Sequence, residues 1–260
     1  MTTPSARSTS DRRRDWQGPA LFLLGFRPFF LMAGLWAVLA MVLWIAMLTG
    51  RVEVPTRFDP IAWHAHEFLF GYGSAVVAGF LLTAVPNWTG RLPVLGWPLA
   101  GLAGLWLLGR IAVGLGGLLP GAGAAVVVAL ADLALPVALF AVLLREILAG
   151  KVWRNLPVLG LLALFGLANG LFHLEAARGL VASDGYGLRA GLAGLVLLIL
   201  LMGGRVTPSF TRNWLMARRI AHLPAQNGRL DSVALALSAV ALAGFVGTRF
   251  QNSKVSTLGP

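Results

Sequence analysis

The residues best equipped for chemistry are two imidazoles and a carboxylate, His64, His66 and Glu67, at the mouth of the long apolar run Leu69 to Val85. Ionisable groups beside a membrane-length segment are costly to keep there, so their presence points to a site. Imidazole is a ligand for copper, iron and b-type haem. Each helical residue advances about 100°. His64 and Glu67 therefore share a helix face, which Gly71, Ala75 and Gly79 continue as a row of small residues. Such a row lets a second helix or a flat ligand come close. His66 lies about 200° round from His64, so a regular helix does not let both grip one ion. Either they serve two sites, or one ligates and the other hydrogen-bonds.

Farther along, His173 has Asn169 one turn before it and Glu175 just after. His64, His66 and His173 read as metal or haem ligands, or else as histidines that hydrogen-bond between helices or sit among lipid headgroups. Glu67, Glu175 and Asn169 are candidates to orient them, a carboxylate beside a bound imidazole fixing its tautomer or passing protons. Glu175 has the alternative of an i,i+3 pair with Arg178. Arg110 could clasp a haem propionate, or pair with Asp132 or Glu175 on another helix. Arg27, Asn87, Arg205, Arg212 and Asn213 form a second, basic and amide-rich group. It suits propionates, anions or lipid phosphates, or simple anchoring and helix capping. Met41, Met47 and Met202 offer thioethers, though an isolated methionine in an apolar helix is more often packing. His222, between Arg219 and Arg229, reads as a solvated loop residue.

These groups need a scaffold, and composition says which. The 260 residues are 57% hydrophobic and 12% charged, with no cysteine. A soluble domain carries about 25% charged residues. Lack of cysteine excludes disulfides, thiolate metal sites and covalent c-type haem. Continuous apolar runs with no alternation select helices, and a bilayer allows only helices or a closed barrel. The fold expected is all-α, a polytopic transmembrane bundle of about seven spans. They are placed at 28–48, 61–85, 95–118, 122–144, 156–177, 188–206 and 233–250. Residues 1–18 read as a disordered basic tail, 19–250 as the transmembrane domain and 251–260 as a polar tail. The first span is too long for the apolar core of a signal peptide.

Net charge is +11. In so apolar a chain this reads as positive-inside topology, not nucleic-acid binding. With the N-terminus inside, fourteen of the 21 Lys and Arg fall on the inner side, six on the outer and Arg110 within a span. That orientation gathers His64, His66 and His173 at the outer face, and Arg27 and Arg205 at the inner one. No phosphate-loop, dinucleotide-fold, serine-hydrolase or zinc-protease motif occurs.

The stretch Trp63-His64-Ala65-His66-Glu67-Phe68-Leu69-Phe70-Gly71-Tyr72 resembles the signature of the NnrS proteins. Three further blocks agree: Gly25 to Phe30 (GFRPFF), Gly79 to Gly90 (GFLLTAVPNWTG) and Met202 to Asn213 (MGGRVTPSFTRN). The resemblance implies a bacterial multi-pass inner-membrane protein associated with haem b and copper and with resistance to nitric oxide, a small molecule it would meet in the bilayer. Redox chemistry at the His-lined outer face is the leading function, which leaves open whether the protein is an enzyme, a haem–copper oxidoreductase. A transporter of haem, copper or a small anion is the alternative, and an assembly partner for a respiratory complex is a third.

Overall fold

The computed structural model describes residues 14–121, 123–220, 223 and 228–248. His222, most of the basic tail and the polar C-terminal tail lie outside them. Helices are α1 (Phe26–Leu48), α2 (Pro60–His66), α3 (Gly73–Thr89), α4 (Trp97–Leu115), α5 (Ala124–Gly150), α6 (Leu156–Ala177), α7 (Tyr186–Ala217) and α8 (Arg229–Gly247). Among the described residues there is no strand, and seven helical segments are long and apolar enough to cross a membrane. The all-α bundle expected from hydropathy is therefore the fold.

Boundaries shift where hydropathy and hydrogen bonding part company. The sixth span, expected to end at Val206, continues to Ala217. Its last turns carry Arg205, Thr207 and Arg212, which end the apolar run without ending the helix. The second span begins at Pro60 and ends at Thr89, with a π-helical stretch, Glu67–Tyr72, joining α2 to α3. A π turn holds an extra residue and is frequent at functional sites. Here it starts on the carboxylate beside His66.

Two compact units divide the chain, Met1–Leu198 and Ile199–Pro260. In the first, α5 packs against α3, α4 and α6, and α1 packs against α3. The second span is the enclosed one: 61% of its most apolar window is buried, against 11% for the first span. Lipid is the natural neighbour for what α1 and α5 leave exposed, including Leu35, Val38, Val42, Leu130 and Val137, since no water is available at that depth. The row of small residues faces inward. Gly71, Ala75 and Gly79 are all buried, and a Cβ at Gly79 would stand 2.8 Å from the Phe30 ring of α1. In the second unit, Arg205 of α7 and Asp231, Ser232 and Ser238 of α8 border a cavity of about 390 Å³.

Candidate functional site

Asp59 sets the start of α2. Its Oδ1 accepts from the backbone N–H of Ile61 (2.9 Å) and Ala62 (3.0 Å), and Pro60 opens the helix. This short helix delivers His66 into the centre of the first unit. Both His66 and Glu67 are wholly buried. Four helices and the π stretch then converge on one chain of contacts.

His66 uses both ring nitrogens. Nδ1 lies 3.2 Å from Glu67 Oε1, and Nε2 lies 3.0 Å from Asn169 Oδ1 and 3.1 Å from Asp132 Oδ2. Asp132, from the middle of α5, is the hub. Its Oδ2 accepts from Asn169 Nδ2 at 2.7 Å and meets His173 Nε2 at 3.0 Å. Its Oδ1 accepts from an Arg110 Nη2. Arg110, on α4, turns its other terminal nitrogen to Glu67, 2.6 Å from each carboxylate oxygen. Arg110, Asp132, Asn169 and His173 are all buried.

Two glycines make room for this. A Cβ on Gly71 would stand 2.6 Å from Arg110 Nη1 and 2.7 Å from Glu67 Oε2. One on Gly109 would stand 3.0 Å from Asp132 Oδ1. Trp106 donates to the Gly71 carbonyl at 2.9 Å, and its ring lies under the Arg110 guanidinium. The rings of Phe58, Phe70 and Phe172 surround His66, with centroids 5.1 to 5.5 Å away.

The cluster holds one guanidinium and two carboxylates. In a low-dielectric interior an uncompensated charge costs several kcal/mol. The second carboxylate can be balanced by a proton on His66, which faces both Glu67 and Asp132, or by a bound cation. His66, Asp132 and His173 can supply it a seat, because one ligand atom from each lies within 4.8 Å of the others. Metal–nitrogen bonds of about 2.0 Å separate tetrahedral ligand atoms by about 3.3 Å. The two His–Asp distances, 3.1 and 3.0 Å, come close to that. Two imidazoles and a carboxylate suit copper, zinc or iron. A porphyrin does not fit on these histidines. His66 is wholly buried among the Phe58, Phe70 and Phe172 rings, and among the described residues the space that opens at His173 is a crevice of about 90 Å³.

A family model described as NnrS protein matches residues 20–257. The chain belongs to the NnrS family. No curated protein and no solved structure matches it.

Within the NnrS signature the two histidines part company, as their angular separation requires. His64 does not join His66 and His173. Its ring stacks on Trp44 of α1, with centroids 3.7 Å apart and planes 14° from parallel. Its Nδ1 is buried without a hydrogen bond. Glu67 reaches His66 and Arg110, while His64 turns to Trp44, and Gly71, farther along the same row, lies beside Glu67 and Trp36 of α1.

Glu175 is not part of the cluster either, nor is it paired with Arg178. Its oxygens accept from the N–H of Tyr186 (2.8 Å) and Gly187 (3.1 Å), capping the start of α7. Arg110 bridges Glu67 and Asp132, the second of which is one of the two ion-pair partners expected for it. Arg27 donates to the Ala20 carbonyl at 2.8 Å, and Arg205 borders the cavity of the second unit. Asp132 was named from sequence only as an ion-pair partner. The available signal was its depth, an acid near the middle of the apolar helix Ala124–Gly150.

Proposed function

We propose that His66, His173 and Asp132 hold a first-row transition metal, copper being the metal that the family resemblance implies. The protein is read as an inner-membrane component of the response to nitric oxide, acting at this centre by redox chemistry. Its N-terminus is placed in the cytoplasm, so α2 begins at the periplasmic face. The convergence of three buried ligand atoms, one each from His66, Asp132 and His173, carries the reading. Family membership fits an association with nitric oxide stress. No observation favours the transporter alternative.

A bound copper would supply one-electron chemistry. The chain's own residues do the rest. Asn169 donates to Asp132 Oδ2 and turns its own Oδ1 to His66 Nε2, so it aligns both ligands. Glu67 faces His66 Nδ1 and fixes the ring's orientation. Arg110 ties Glu67 to Asp132, which keeps the two carboxylates apart in register. Phe58, Phe70 and Phe172 keep water from the His66 side.

Metal analysis of the purified protein tests the reading. His66→Ala, His173→Ala and Asp132→Asn should each lose the bound copper, while His64→Ala should keep it. Full copper content in all three cluster variants, or loss only in His64→Ala, would place the metal elsewhere.

A further inference from the structure

Among the described residues of the cluster, His66, Glu67 and Asp132 are closed off and His173 is the histidine that keeps some exposure. There a crevice of about 90 Å³ runs in from the face on which α2 begins, lined by Arg57, Phe58, Ala125, Val128, His173 and Ala176. It ends on the His173 ring, whose side chain keeps 6% exposure, whereas His66 has none. Only Nε2 of His173 is engaged, with Asp132, so Nδ1 has no hydrogen bond among the described residues. Phe58 forms the wall between crevice and cluster. Its ring lies 5.1 Å from that of His66 and 5.5 Å from that of His173.

The mouth is cationic. Arg57 is exposed and makes no ion pair among the described residues. Its aliphatic stem lies over Gly116, and the loop that carries it is pinned by Gly117 N–H donating to the Pro55 carbonyl at 2.7 Å. The fixed turn thus sets the stem of Arg57 at the entrance, with its charge within reach of the mouth. A cationic rim repels free metal cations and concentrates small anions. The space holds a few water-sized groups, and is small for a lipid headgroup.

We propose that this crevice is the ligand port of the site, and that it admits a small monovalent anion of two to four heavy atoms to the His173 ring. Arg57 selects the charge and Phe58 and Ala125 set the size. This inference rests on the metal reading for its purpose, but not for its test.

Azide serves as the probe. In metal-free protein, mass spectrometry of imidazole C2–H exchange should show His173 exchanging and His66 protected. Azide should slow exchange at His173. Ala125→Leu, which fills the crevice, should slow it without azide, and Arg57→Gln should weaken the azide effect roughly fivefold, the size of one exposed charge contact. Equal exchange at the two histidines, or an azide effect unchanged in both variants, would overturn the port. In copper-loaded protein, azide should shift the paramagnetic resonance spectrum of wild type and not of Ala125→Leu. Should the protein bind no copper while His173 behaves as stated, the metal reading falls and the anion port stands.

Discussion

Replacing Gly71 with alanine tests whether the buried ion pair dictates how the helices approach. The new methyl carbon would stand 2.6 Å from Arg110 Nη1, 2.7 Å from Glu67 Oε2 and 3.2 Å from Trp36 Nε1. The first two atoms are bonded to each other's groups at 2.6 Å, so neither can move without stretching the pair. Overpacking of this kind costs about 1–3 kcal/mol. The control is Gly104→Ala on α4, where a Cβ meets nothing within 4 Å. That change should be neutral or gain up to about 1 kcal/mol from helix propensity. Unfolding in mixed detergent micelles, followed by tryptophan fluorescence, measures both. A Glu67→Ala, Gly71→Ala double variant should lose less than the sum of its parts, because the obstructing carboxylate is gone. If Gly71→Ala is as stable as Gly104→Ala, the pair is not packed against that glycine and the reasoning fails.

Reporter fusions should place the loop between α1 and α2 in the periplasm and that between α5 and α6 in the cytoplasm. Opposite readouts would reverse the positive-inside assignment. Arg110→Gln leaves two buried carboxylates without their cation, and metal-free protein should lose about 3–5 kcal/mol. Added copper at a hundredfold its Kd should return about 2.7 kcal/mol, whereas Asp132→Asn should gain nothing from copper. An Arg110→Gln protein that copper does not stabilise would count against a metal seat.

The spans were legible because each crosses an apolar solvent and so carries its own hydrophobic signal. The number and order of helices needed no knowledge of their neighbours. The site was legible only as far as single helices allow. Asn169 and His173 are one turn apart, and the sequence places them together. The roughly 200° between His64 and His66 foretells that they diverge. What hydropathy lacks is the register of one helix against another. Asp132 lies on α5, and nothing in its own stretch of Val, Ala and Leu says that α2, α4 and α6 bring His66, Arg110 and His173 to it. Nor does hydropathy announce the π stretch, Glu67–Tyr72, which begins on the carboxylate that meets Arg110. Glu175 shows a second kind of blindness. Its partners are peptide N–H groups across a short turn, and a search among charged side chains does not find them.

Asp132 is therefore the residue on which the structural and the functional readings divide. A purely structural acid needs one cation, and Arg110 provides it through Oδ1. The remaining oxygen, Oδ2, receives Asn169, His66 and His173 within 3.1 Å. Satisfying a buried carboxylate does not require two imidazoles from different helices. Bringing them there costs the ordering of two ring side chains and the burial of their polar atoms. Their convergence on the oxygen that Arg110 leaves open is what a cation-binding site needs, and what a helix-pairing acid does not.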